Sequence, residues 1–264
     1  FDINEVMLAK IEKGHEDFDV VCPSEYIIDR MLANDMLLPI NRDFGKTPDY
    51  IKNVSPYVLE QFAKLDKPGK RANDYSVGYM WGTTGILYNP KFVTDDEVKS
   101  WGIIWDKRFE GKILVKDAYR DIYGPMIMYG RYQDILSGKV TREQLMNDSS
   151  DEAIATVEKL LKDAKKNIAG WEVDFGKEMM TKEKAYINVS WSGDAVWAIE
   201  EAAAVNVELR YYVPQEGSNV WFDGWVIPKY AVNTKAAAYF INFMCMPENA
   251  LRNMDEIGYV SVIA

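Results

Sequence analysis

Four short stretches place carboxylates beside aromatic or hydroxyl side chains at spacings suited to capturing a cation. In Trp191-Ser192-Gly193-Asp194 an apolar run hands over to a helical pattern. A helix start favours anions through its unsatisfied N–H groups, so the backbone there would not hold a cation unaided. Asp194 can accept a charge-assisted hydrogen bond and Trp191 can offer an indole face. The same residues also suit a plain helix start, with Asp194 as cap and Trp191 as core filler.

In Trp221-Phe222-Asp223-Gly224-Trp225, the period of an extended chain puts Trp221, Asp223 and Trp225 on one face. A carboxylate between two indoles is awkward in a core, because burying it unpaired costs several kcal/mol. It makes sense if a cation arrives. Carbohydrate sites combine the same residue types, so this stretch separates polyol from amine poorly. Lys116-Asp117-Ala118-Tyr119-Arg120-Asp121 reads on pattern as a capped helix start with a surface ion pair, and Pro23-Ser24-Glu25-Tyr26 as an ordinary helix cap.

Other chemistries find little to work with. His15 is the only histidine and sits beside Gly14 as a solvated loop residue, which removes most metal-site and Ser/His/Asp readings. Cys22 and Cys245 lie near opposite ends, each in an apolar run, and read as two buried thiols, a long-range disulfide being the alternative. No metal or cofactor is expected. Asp194 and Asp223 could in principle pair as glycosidase carboxylates with the tryptophans stacking on sugar, which would require one of them to stay protonated.

The elements that must position these residues follow from periodicity. Helical spacing covers 4–13, 24–34, 119–136, 141–146, 152–167 and 236–246, with shorter pieces near 58–65 and 95–99. Apolar runs at 18–22, 112–115, 185–189, 207–213 and 220–227 read as strands. The strand before Pro23 followed by a helix is an α/β unit whose binding loop lies at the strand's carboxyl end. Residues 75–89 form two extended stretches broken at Trp81-Gly82-Thr83-Thr84, which suits either a segment crossing between domains or a β-hairpin. Alternating strands and helices indicate an α/β fold with mostly parallel pairing.

The chain of 264 residues is 48% hydrophobic, 27% charged and 13% aromatic, enough for a full core in one large domain or two ordinary ones. Its net charge of -10 repels nucleic acid and anionic membranes and suits cationic ligands. No apolar run approaches the roughly 18 residues of a membrane span. Charges at Asp2, Glu5 and Lys10 occupy the place of a signal peptide's apolar stretch, so the protein is cytosolic or its export signal has been removed.

Taken in order, the segments DVVCPSEYIIDRM, YSVGYMWGTTGILYN, SWGIIWDKRFEGKILVKDAYRDIYG, NVSWSGDAVWA, PQEGSNVWFDGWVIPK, AAAYFINFM and IGYVS resemble the spermidine/putrescine-binding proteins of bacterial ABC importers. The resemblance implies a two-lobed, type II periplasmic-binding fold of α/β class with the ligand in the interlobe cleft. Lobe 1 would comprise 1–82 and 222–264, and lobe 2 would be 83–221. It implies ligand contacts from Ser24, Tyr26, Asp121, Trp191, Asp194, Trp221, Asp223 and Tyr259. It further implies capture of putrescine or spermidine without catalysis, delivery to the permease subunits of an ABC importer, and a monomer that binds no nucleic acid. The location would be the periplasm, or the cell exterior as an anchored lipoprotein.

Two departures stand out. Ala118 occupies a position that is often acidic in spermidine-type members, whereas Asp194 agrees with putrescine-type ones. The family's opening Asn-Trp-(Ser/Thr)-acidic-Tyr strand is not found, and the chain stops soon after IGYVS, so the lobe carrying the termini is expected to be incomplete here.

Overall fold

The computed structural model describes residues 3–14 and 17–263, so His15 lies outside the described residues. The chain forms two compact units: unit 1 is Phe1–Gly82 with Trp221–Ala264, and unit 2 is Thr83–Val220. Unit 1 opens with α1 (Asn4–Glu12), α2 (Glu25–Ala33), β1 (Leu37–Leu38), α3 (Pro56–Ala63) and α4 (Ala72–Tyr75). Strand β2 (Ser76–Tyr88) carries the chain into unit 2. There follow β3 (Ile113–Lys116), α5 (Tyr119–Gly130), α6 (Tyr132–Leu136), α7 (Arg142–Met146) and α8 (Asp151–Ala164). Unit 2 ends with β4 (Ile168–Glu172), α9 (Gly176–Thr181), β5 (Ile187–Trp191), α10 (Ser192–Ala204) and β6 (Arg210–Tyr212). β7 (Val220–Pro228) returns the chain to unit 1, which closes with α11 (Thr234–Met244), α12 (Pro247–Ile257) and β8 (Val260–Ser261).

The hairpin alternative at 75–89 is not what forms. β2 is one strand of 13 residues, antiparallel to β8 at Met80 and Trp81 and to β5 from Thr84 to Tyr88. The threonines at the break are β-branched and tolerate extension, so no turn is required there. Nor is the pairing mostly parallel. Among the described residues only β3 pairs in parallel, with β4 on one side and β5 on the other, while the β1–β7, β2–β5, β2–β6 and β2–β8 ladders are antiparallel. A strand entering a unit without a helical crossover is free to run against its neighbour.

The strand expected at 18–22 reduces to isolated antiparallel bridges, Val21 with Val226 and Ser24 with Asp223. Pro23 lies between them and has no N–H to extend a ladder, so its carbonyl accepts from Gly224 instead. Gly224 is needed there, because a Cβ would come within 2.9 Å of the Phe62 ring. The helix expected over 119–136 breaks at Arg131 into α5 and α6. Both cysteines are free thiols, Cys245 buried and Cys22 half-buried, so the disulfide alternative is not formed.

Strand alternation sorts the core of unit 2 into two clusters. Ile113, Val115, Ile187 and Val189 join Ile86 and Tyr88 with α5 and α8 residues in one. Leu87 and Leu114 face the other, with Met180 of α9 and Ala195, Ala198 and Ala202 of α10. The small alanines let α10 approach the sheet closely. Helix starts are fixed locally: Ser150 caps α8 through Ala153 N, and Thr141 with Gln144 forms a capping box on α7. In unit 1, α3 begins with Pro56 after the Ser55 cap and buries Val58 and Phe62 in a single core.

Candidate functional site

In unit 1 the alternation expected of β7 holds: Trp221, Asp223 and Trp225 are half-buried while Phe222, Gly224 and Val226 face the core. Asp223 Oδ1 accepts from Ser24 Oγ at 2.6 Å. Ser24 occupies the N-cap position of α2 but its side chain makes no cap hydrogen bond, so the hydroxyl serves Asp223. Asn4 of α1 fixes it, donating from Nδ2 to Ser24 Oγ at 2.9 Å and accepting from Ser24 N at 3.0 Å. Tyr26 donates to Glu5 Oε1 at 2.8 Å.

The Asp223 charge is felt by its surroundings. Burial and then that charge push the Cys22 thiol well above its usual range, and burial, Cys22 and Asp223 push the Tyr79 hydroxyl up to about 12. Trp221 packs edge-on against Tyr259, ring centroids 5.2 Å apart. Its Nε1 is buried without a hydrogen-bond partner among the described residues. Trp225 is spent on packing, against Tyr79 at 4.6 Å and Phe240 at 5.3 Å.

In unit 2 Asp121 lies in the first turn of α5. Its Oδ1 accepts from Asn219 Nδ2 at 2.7 Å and Thr84 Oγ1 at 3.1 Å, and the Trp191 side chain lies near enough to favour its charged form. All three of these groups are neutral. Burial pushes the Asp121 carboxyl above its usual range, against the lowering by those hydrogen bonds and by the Lys116 charge. A surface ion pair is therefore the wrong description of this residue, although the LVKDAYRD pattern suggested one.

Asp194 also departs from the simple cap. Trp191 is the N-cap residue of α10, and Asp194 lies in the first turn with its Oδ2 on Lys116 Nζ at 3.0 Å. Lys177 Nζ stands 3.8 Å from its other oxygen. Lys116 Nζ also pairs with Glu172 Oε1 at 2.9 Å, donates to the Val173 carbonyl at 2.8 Å, and sits 4.2 Å from the centroid of the Trp191 ring. Lys116 and Glu172 are register partners on the parallel strands β3 and β4 and are both 0% exposed. The sequence reading missed Lys116 and Glu172 along with Thr84 and Asn219. The available signal was a lysine at the end of the apolar run Ile113-Leu114-Val115, since a buried ammonium requires a carboxylate nearby.

Among the described residues no group of three or more His, Cys, Asp or Glu side chains is placed to hold a metal ion, and no helix is long and apolar enough to cross a membrane.

The chain is similar to a spermidine/putrescine ABC transporter protein of Listeria monocytogenes, at 31% identity over 100% of this chain and 74% of that one, with a TM-score of 0.82. It is similar to the spermidine/putrescine transporter substrate-binding protein of Streptococcus pneumoniae, at 33% identity over 100% and 73% of the two chains, TM-score 0.72. The spermidine/putrescine-binding periplasmic protein of Escherichia coli K12 is 28% identical over 98% of this chain and 68% of its own length. The fold is the type II periplasmic-binding-protein fold. These relatives are ligand-binding components of transporters, not enzymes. In agreement, the bacterial extracellular solute-binding protein model matches residues 2–264, and the chain is a member of that family.

Proposed function

We propose that this chain captures a polyamine of the putrescine or spermidine class outside the cytoplasm and delivers it to the permease subunits of an ABC importer. The observation that carries the reading is Asp121, a half-buried carboxylate whose hydrogen-bond donors Asn219 and Thr84 are both neutral. The Lys116 charge offsets only part of the cost of keeping this carboxylate ionised, since its carboxyl stays raised, and an arriving ammonium offsets more of it. The names of the relatives in Listeria, Streptococcus and Escherichia support the same ligand class.

The proposed contacts are Asp121 and Trp191 from unit 2, with Ser24, Tyr26, Trp221, Asp223 and Tyr259 from unit 1, the two units being the two lobes of the family fold. Carboxylates take the ammonium ends and the indole faces take the methylenes or the charge. The protein acts as a monomer, in the periplasm or held at the cell surface by a lipid anchor. Titration of the tryptophan fluorescence with putrescine and spermidine tests the reading: a saturable change with at least one amine is expected. Its absence with both, at millimolar concentrations, refutes the proposal.

A further inference from the structure

The cluster around Lys116 has the composition of an amine site that is already filled. Its ammonium lies 4.2 Å from the Trp191 ring centroid, 3.0 Å from Asp194 Oδ2 and 2.9 Å from Glu172 Oε1, and donates to the Val173 carbonyl. An aromatic face, two carboxylates and a carbonyl are the partners a ligand ammonium would seek. The ammonium is instead tethered to β3, fully buried and fixed by strand register against Glu172. Lys177, 3.8 Å from Asp194, adds a second positive charge on the same carboxylate.

Buried polar atoms at this cluster lack hydrogen-bond partners among the described residues: both side-chain amide atoms of Asn188 on the adjacent strand β5, and Glu172 Oε1, whose 2.9 Å contact with Lys116 is an ion pair without hydrogen-bond geometry. A buried ion cluster of this kind gives weak stability, and apolar residues of similar volume often do as well or better. Its presence therefore calls for a role other than holding the fold.

Trp191 supplies the connection to ligand. The same side chain that favours the charged form of Asp121 carries the Lys116 ammonium over its ring. A ligand ammonium at Asp121 is thus one indole away from the tethered one. We infer that Lys116 is a specificity-determining residue that occupies an ammonium subsite formed by Trp191, Asp194 and Glu172, so that unit 2 accepts one ligand amine, at Asp121, and rejects a further one. Rejection has two parts: the carboxylates are already paired, and a second ammonium nearby meets a like charge in a place of low dielectric. The ligand class this selects is the diamine over the triamine. This inference rests on the polyamine reading above.

The test is calorimetric titration of putrescine and spermidine into the wild type and into the double variant Lys116→Met/Glu172→Gln. The double change removes one charge of each sign and leaves the net charge at its wild-type value, so a general field effect is excluded. The vacated subsite should take an additional amine, and the ratio of spermidine to putrescine affinity should rise about tenfold, the effect of one charge-assisted hydrogen bond. A ratio within twofold of wild type, in a variant that melts cooperatively, overturns the inference. Should the variant fail to fold, the wild type alone decides: putrescine bound at least as tightly as spermidine supports it, and a tenfold preference for spermidine overturns it. A wild type that binds neither amine refutes the polyamine reading itself, before any variant is compared.

Discussion

Asp121→Asn separates a ligand-binding carboxylate from a structural one, because the two roles predict opposite effects on the empty protein. The amide keeps the shape and can still accept from Asn219 Nδ2, now at 2.7 Å, and from Thr84 Oγ1, now at 3.1 Å. What it removes is the charge. A charge-assisted hydrogen bond to a ligand ammonium contributes about 1.5 to 3 kcal/mol, so the amine dissociation constant should rise between about tenfold and about a hundredfold.

In the empty protein burial outweighs the hydrogen bonds and raises the Asp121 carboxyl, which means that the ionised form is disfavoured by folding. For a carboxyl with a raised folded value the penalty is absent below the unfolded value and fully present once the pH exceeds the folded one. At neutral pH the asparagine variant avoids that penalty, and its melting temperature should equal or exceed that of the wild type. Affinity has the opposite sign: it is full above the raised value and lost as the pH falls through it, so wild-type amine binding should weaken in mild acid above the ordinary aspartate range. Calorimetric titration across pH, with melts of both proteins, reads all three effects. Affinity within twofold of wild type, or a melting temperature several degrees lower, would refute the reasoning.

Trp221→Ala should weaken amine binding by roughly 1 to 2 kcal/mol, the worth of a desolvated indole contact, and an unchanged dissociation constant in the folded variant would remove Trp221 from the site. Asp223→Asn should raise the dissociation constant at least about tenfold by the same charge argument, with equilibrium dialysis of radiolabelled putrescine as the readout. An effect on melting with none on binding would assign the Ser24–Asp223 bond to structure. Gly85→Ala should destabilise unit 2 by about 1 to 3 kcal/mol, since a Cβ there would come 2.5 Å from the Tyr211 ring and 2.8 Å from the Tyr212 carbonyl. A wild-type denaturation midpoint would show that Tyr211 yields more easily than its hydrogen bond to the Thr83 carbonyl suggests.

Elements whose signals are local were legible in the amino-acid order. The face shared by Trp221, Asp223 and Trp225 follows from the two-residue period of an extended chain, and the hand-over from strand to helix at Trp191 from the change of period that follows it. What depends on distant pairing was not legible. Ser24 reads as a helix cap until Asp223, 199 positions away, is brought to it. Lys116 meets Asp194 across 78 positions and Glu172 through a parallel register, and no local pattern encodes either. β4 contains an alanine and a glycine and is half exposed, so its composition gave no strand signal, yet it delivers Glu172. The continuity of β2 through Gly82, Thr83 and Thr84 was ambiguous for a related reason: its two halves pair with different partners, β8 and then β5 and β6, and only those partners show that the strand does not turn.

The central claim, that the ligand is a polyamine, is tested most directly by calorimetric titration of the purified chain against putrescine, spermidine, an amino acid mixture and maltose under one set of conditions. Saturable heat with at least one of the two polyamines is expected, with none from the amino acids or the sugar. Saturable binding of maltose or of an amino acid, with no heat from either polyamine, would contradict the account.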